Sequence, residues 1–298
     1  MGDAVYGLSA MRDLGGGFLY LCSRPWCKEM TQARFDTLKP LLESQSYIHG
    51  VAWHKGEPIT HDFTTFRPMI VGNKTLAEVQ ARYVGARERG SDTQWIHLDG
   101  FPKHDRIIVH RSPRWRNGGF PWRELVEQYG GQMLFVGPED EWRQFVDESG
   151  MVQRHTCKDF LELARLIAGS PLFIGNQSAP YAIAEGLKHN TVQETNPRRA
   201  DCVFRRPNAE FCDGDTARLP GGVTIRARER YFKLPNAALP VRQWDGNFFH
   251  PKITRIFGGV AEGVYATRDG EEVARLFAKH NAIELDKRQY ETQIARAA

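Results

Sequence analysis

The chain has 298 residues, of which 41% are hydrophobic and 26% charged, and a formal net charge of +4. These are ordinary values for a folded globular protein and exclude a disordered chain. No apolar run approaches the roughly 18 residues that span a bilayer, and the N-terminal stretch lacks the basic-then-apolar layout of a secretory signal, so a cytoplasmic location is expected. The length accommodates one large core or two Rossmann-sized cores facing each other across a cleft.

The elements follow from periodicity and punctuation. Residues 4–14 read as helical, 18–23 (FLYLCS) as a strand, and 30–45 as a helix with Leu38, Leu41 and Leu42 inward, so a first α/β unit is expected there. From residue 106 the alternation sharpens. RIIVH is a short apolar run, and a helix follows with Pro121 near its start and Gly130 near its end. Next come a strand at 132–136, a break at Gly137-Pro138, and an acidic-started helix closing at Gly150. Residues 151–155 fit a third strand, Thr156 with Asp159 has the form of a capping box, and the helix it opens ends at Gly169. PLFIG then reads as a buried strand and SAPYAIAEGLKH as a helix with Ala179, Ala182, Ile183, Gly186 and Leu187 on one face; Thr191 begins another strand. Strands separated by helices through short loops imply a parallel sheet covered on both faces. Beyond residue 196 turns dominate until a late helix at 269–281, with Val273, Leu276 and Phe277 as its stripe.

The five cysteines are odd in number and scattered, which argues against a disulfide framework and for reduced thiols. Cys22 with Cys27 and Cys202 with Cys212 lack the tight spacing of a zinc knuckle, so no metal site is expected.

In an open parallel sheet, ligands bind beyond the carboxyl ends of the strands, where helix N-termini present unpaired N–H groups. Three strand-to-helix loops therefore matter. The loop from His110 to Gly119 carries Arg111, Ser112, Arg114 and Arg116; its guanidinium groups suit a diphosphate, and the same loop serves equally as a solvated basic surface. The loop Gly137 to Glu141 is acidic, repels phosphate and reads as structural. The loop Gly175 to Pro180 ends a buried strand, with Asn176, Gln177 and Ser178 ahead of a helix; Ser178 is its expected N-cap, and the loop cradles a phosphate or is simply a cap. Glu194, at the end of the next strand, either accepts ribose hydroxyls or lies on the surface.

Three stretches, 1–14, 107–125 and 161–194, resemble the heptosyltransferase-like glycosyltransferases of family nine, over roughly a quarter of the chain. The resemblance implies a GT-B fold: α/β, two Rossmann-like domains with parallel sheets facing across a cleft. It implies an acceptor-side domain at 1–103 without its first strand, or with a start further upstream, a nucleotide-sugar domain at 104–265, and a C-terminal helical segment at 266–298 packing back on the first domain. It further implies an inverting, metal-independent transfer of a sugar from a nucleotide-sugar co-substrate to a hydroxyl, with no cofactor. Asp3 occupies the place of the family's general base, and Arg111, Arg114 and Arg116 that of its basic loop. The family's donor loop usually carries an aspartate, a threonine or serine, a glycine and a later histidine; this chain has Asn176, Gln177, Ser178 and Tyr181, so donor identity does not carry over. A carbohydrate acceptor is the default. DNA with hydroxymethylated bases is the alternative, from the basic clusters at 111–116, 198–199 and 205–206. A non-catalytic nucleotide-sugar-binding protein is the reading from another class.

Overall fold

The structure, a computed structural model, describes residues 1–23, 30–70, 74–88, 93–196, 198–228, 230–235, 253–257, 262–267, 283–289 and 291–292. By internal contacts the chain divides into two units: Met1–Arg116 with Tyr129–Phe211, and Asn117–Gln128 with Cys212–Ala298.

The first unit opens with helix α1 (Gly2–Asp13), followed by strand β1 (Gly17–Leu21), helix α2 (Gln32–Glu43), strand β2 (Ile48–Trp53) and helix α3 (Leu76–Tyr83). Thr31 caps α2 by accepting from the Arg34 N–H, and a complete capping box joins Thr75 to Glu78 at the start of α3. β1 and β2 pair in parallel. The expected first α/β unit is therefore present, with a two-stranded sheet.

The chain then alternates through β3 (Ile107–His110), α4 (Trp122–Tyr129), β4 (Met133–Val136), α5 (Glu139–Ser149), β5 (Gln153–His155), α6 (Phe160–Gly169), β6 (Phe173–Asn176), α7 (Ala179–Gly186) and β7 (Thr191–Glu194). These are the elements read from the sequence. β3, β4, β6 and β7 are buried at every residue, as strands covered on both faces must be. With β8 (Ala209–Cys212) at one edge they form a sheet of order β5-β4-β3-β6-β7-β8, the pairs from β5 to β7 being parallel. The chain leaves β3 towards β4 and β5 and returns on the other side at β6, so the order reverses between β3 and β6. That is the topological switch point, where a crevice opens beyond the strand ends.

One apolar core runs through this unit. Val5 and Leu8 of α1, Leu38 and Leu41 of α2, Ile108 and Phe173 of the sheet, and Ala182 and Ile183 of α7 belong to it. α1 packs on α7 and α2 on α6, so residues before 104 share a core with those after. Gly186 is required by this packing, since a Cβ there would meet Trp95 Nε1 at 2.7 Å and Ile96 Cδ1 at 2.6 Å. The cap of α6 differs from expectation: Asp159 accepts from the Glu162 N–H at 2.8 Å, and Thr156 lies outside the helix. Asp is the stronger cap and sits next to the first helical residue.

In the second unit, Asn117 donates to the carbonyls of Cys212 and Gly214 at 3.2 and 2.9 Å. β9 (Thr216–Arg218) and β10 (Thr224–Arg226) form an antiparallel hairpin. β11 (Arg230–Pro235), β12 (Ile253–Phe257), β13 (Glu262–Thr267) and β14 (Ile283–Leu285) form a four-stranded antiparallel sheet of order β12-β13-β11-β14. Part of the expected C-terminal helical segment is thus a strand, held by pairing to β11. The expected helix at 269–281 lies outside the described residues.

Candidate functional site

The first unit holds a cavity of about 1580 Å³. Its wall includes the start of α1, β1, the loop 58–67 and the loops that follow β3, β4, β5 and β6. Two helix N-termini meet there. Gly2, at the head of α1, lies so close to Ala179, at the head of α7, that a Cβ on it would sit 3.8 Å from the Ala179 Cα. Their partial positive charges therefore add at one place in the cavity wall.

The residues read from the sequence separate into those that line the cavity and those that support it. Asp3, Ser112, Arg114, Gln177 and Ser178 line it. Asp3 is 41% exposed at its side chain, its Oδ2 accepts from Arg67 Nη2 at 2.6 Å, and its backbone carbonyl accepts from Gln80 Nε2 at 2.9 Å. Ser178 is the N-cap of α7 by position, but its hydroxyl donates back to the Asn176 carbonyl at 3.1 Å instead of capping the helix. Gln177 donates to the Arg199 carbonyl and accepts from the Asn196 N–H, tying the loop after β7 to the start of α7.

Asn176 is fully buried and spans the switch point. Its Oδ1 accepts from the Ser112 N–H at 3.0 Å, while its Nδ2 donates to the carbonyls of Ser112 at 3.0 Å and Arg114 at 2.6 Å. It shapes the loop after β3 from behind.

Arg111 and Glu194 meet each other. Arg111 Nε and Nη2 each reach a Glu194 oxygen at 2.8 Å, a bidentate pair with side-chain exposures of 1% and 0%. Glu148 accepts from Arg111 at 2.9 Å and from Arg116 at 2.8 Å. Two of the three loop arginines and the carboxylate assigned to ribose therefore form a buried ionic network and do not face the cavity. Sequence reasoning missed this because the partners lie 83 residues apart.

Glu141, on the loop read as structural, stands in the cavity wall with its side chain 18% exposed. Its Oε2 has no hydrogen-bond partner among the described residues and lies 3.9 Å from His110 Nε2. His110 Nδ1 lies 2.7 Å from the Val136 carbonyl. A carbonyl only accepts, so Nδ1 carries the proton and Nε2 is bare. Burial pushes His110 down to about 4, keeping it neutral, and burial with neighbouring Asp140 raises Glu141. Two acceptors face each other here with no donor between them. The adjacent basic residues were legible as sequence; this juxtaposition was not.

Burial pushes Cys157 and Cys202 up to about 12, which leaves them protonated and poor nucleophiles or ligands.

An open α/β sheet with a cavity at its switch point, flanked by helix N-termini, defines a class of ligand-binding α/β proteins. Among solved structures, the chain is similar to E. coli heptosyltransferase WaaC with ADP-2-deoxy-2-fluoro heptose, at 13% identity over 74% of this chain and 90% of that one, with a TM-score of 0.44. It is also similar to a glycosyl transferase family 9 structure from Veillonella parvula, at 11% identity over 71% and 83% with a TM-score of 0.47. A third is E. coli ADP-heptose lps heptosyltransferase II, at 11% identity over 72% and 89% with a TM-score of 0.37. No family model and no curated protein matches the chain. No helix among the described residues is long and apolar enough to cross a membrane.

Proposed function

We propose that the cavity of the first unit binds a nucleotide sugar and that the chain transfers the sugar to a hydroxyl, with Asp3 as general base. The observation that carries this reading is the convergence of the α1 and α7 N-termini at a switch-point cavity that also presents Asp3 and the facing pair Glu141 and His110. A diphosphate is served by the helix ends and by Arg114 on the cavity wall. The Glu141 side chain is 18% exposed in the cavity wall, and its carboxylate suits a group that brings donors, as the vicinal hydroxyls of ribose do. Glu141 thereby takes the role that Glu194 is buried too deeply to fill.

In transfer, the Asp3 carboxylate takes the proton of the acceptor hydroxyl as its oxygen attacks the anomeric carbon. The bond to the diphosphate breaks from the opposite side, so configuration inverts, and the helix ends offset the charge that leaves. Arg67 holds the Asp3 carboxylate in one orientation until the acceptor arrives. The sequence resemblance to heptosyltransferase-like enzymes supports the same assignment. A carbohydrate acceptor is favoured over DNA, because Arg111 and Arg116 are neutralised by Glu148 and Glu194, and Arg206 by Glu185 at 3.0 Å.

Asp3→Asn tests the reading. Nucleotide-sugar binding is expected to persist while transfer falls by about 10²–10⁴-fold, the usual contribution of a general base. Transfer unchanged in the variant contradicts the assignment, and binding without transfer in the wild type makes the protein a binder.

A further inference from the structure

We infer that Trp115, backed by Arg199, is the platform on which the transferred sugar ring lies; the inference rests on the nucleotide-sugar reading above. Trp115 sits on the loop after β3, lines the cavity and is 40% exposed. Its φ is +54°, in the left-handed region that a bulky side chain rarely adopts. The loop enforces that conformation from both sides. The Arg114 carbonyl is clamped by Asn176 Nδ2, and Arg116 is anchored to the Ser112 carbonyl at 2.9 Å and to Glu148. A costly backbone conformation that displays a large aromatic ring at a cavity wall is strain of the kind that accompanies function.

Arg199 places its guanidinium 4.4 Å from the indole centroid and is itself held by Asp201 at 3.0 Å and by the bond from Gln177 to its carbonyl. One face of the ring is thus backed by a fixed cation, and the ring still keeps substantial exposure. A pyranose offers a face of C–H groups to the negative face of an aromatic ring, and hydroxyls at its rim to carboxylates and guanidinium groups nearby.

The order of the sheet selects the sugar over the nucleobase. His110 ends β3, Glu141 lies in the first turn of α5 after β4, and the α7 N-terminus stands after β6, beyond the switch point. Arg199 and Asp201 follow β7, further along the same edge. A donor with its ribose at Glu141 and its diphosphate at α7 therefore carries its base away from Trp115 and its sugar towards it.

The test compares each of ADP-glucose, UDP-glucose and GDP-mannose with its bare nucleoside diphosphate by isothermal titration against wild type, Trp115→Phe and Trp115→Asn. Asparagine tolerates the left-handed backbone while removing the ring. Circular dichroism and thermal melting verify that both variants fold. For a nucleotide sugar that binds the wild type, Trp115→Asn is expected to weaken affinity about tenfold, the upper range of an aromatic contact, with the diphosphate unchanged and Trp115→Phe in between. Equal loss for sugar and diphosphate, or no loss for either, overturns the platform and leaves the donor site standing. If no nucleotide sugar binds the wild type, the donor reading falls and the platform falls with it.

Discussion

Replacing Arg111 by methionine separates a structural arginine from a ligand-binding one. The change removes two 2.8 Å bonds to Glu194 and one of 2.9 Å to Glu148, and leaves the fully buried Glu194 carboxylate without its bidentate partner. Glu148 keeps Arg116 at 2.8 Å and Gln144 at 3.0 Å, so the loss falls mainly on Glu194. Breaking a buried pair from one side costs about 3–5 kcal/mol, a large share of the roughly 5–15 kcal/mol that a domain has. Adding Glu194→Leu removes that buried carboxylate as well, and the double variant is expected to recover most of the loss. Urea unfolding measures all three. An Arg111→Met protein within about 1 kcal/mol of wild type but with weakened nucleotide-sugar binding would refute this account and return Arg111 to the donor.

His110 gives a pH signature. Its folded value is about 4 against 6.5 ordinarily, so the unfolded chain binds the extra proton and the stability it contributes is complete above 6.5 and lost as pH falls towards 4. The wild-type stability advantage over His110→Gln should shrink by about 3 kcal/mol between pH 7 and pH 4; a constant difference in urea unfolding across that range argues against a neutral buried imidazole. Asn176→Ala removes three bonds that shape the loop after β3 and should cost about 2–3 kcal/mol, with faster amide exchange at residues 112–116. Unchanged exchange there would show that the loop holds its form without the clamp.

The central sheet was legible because β3, β4, β6 and β7 are short apolar runs, punctuated by Gly137-Pro138, Gly150, Gly169 and the polar loop at Asn176. β2 was not, since IHGVAW mixes buried and exposed positions without strict alternation. α3 is only eight residues long, although Thr75 and Glu78 spell out the capping box that marks its start. At the site, the sequence located the loops correctly as chain segments but not the direction of their side chains. Whether Arg111 faces a phosphate or Glu194 depends on a partner at the end of another strand, which local pattern does not encode. Glu141 illustrates the converse. An acidic residue in a helix's first turn has a sufficient local explanation, and its buried oxygen beside His110 emerges only when β3 and β4 are aligned.

The claim on which everything else depends is that the cavity takes a nucleotide sugar, and thermal denaturation in the presence of UDP-, GDP- and ADP-sugars tests it most directly. At a concentration of about 100 times its Kd, a ligand specific to the folded state adds about 2.7 kcal/mol, so at least one of them should raise the Tm by several degrees and Glu141→Gln should reduce that rise. A melting temperature unmoved by every one of them would contradict the account.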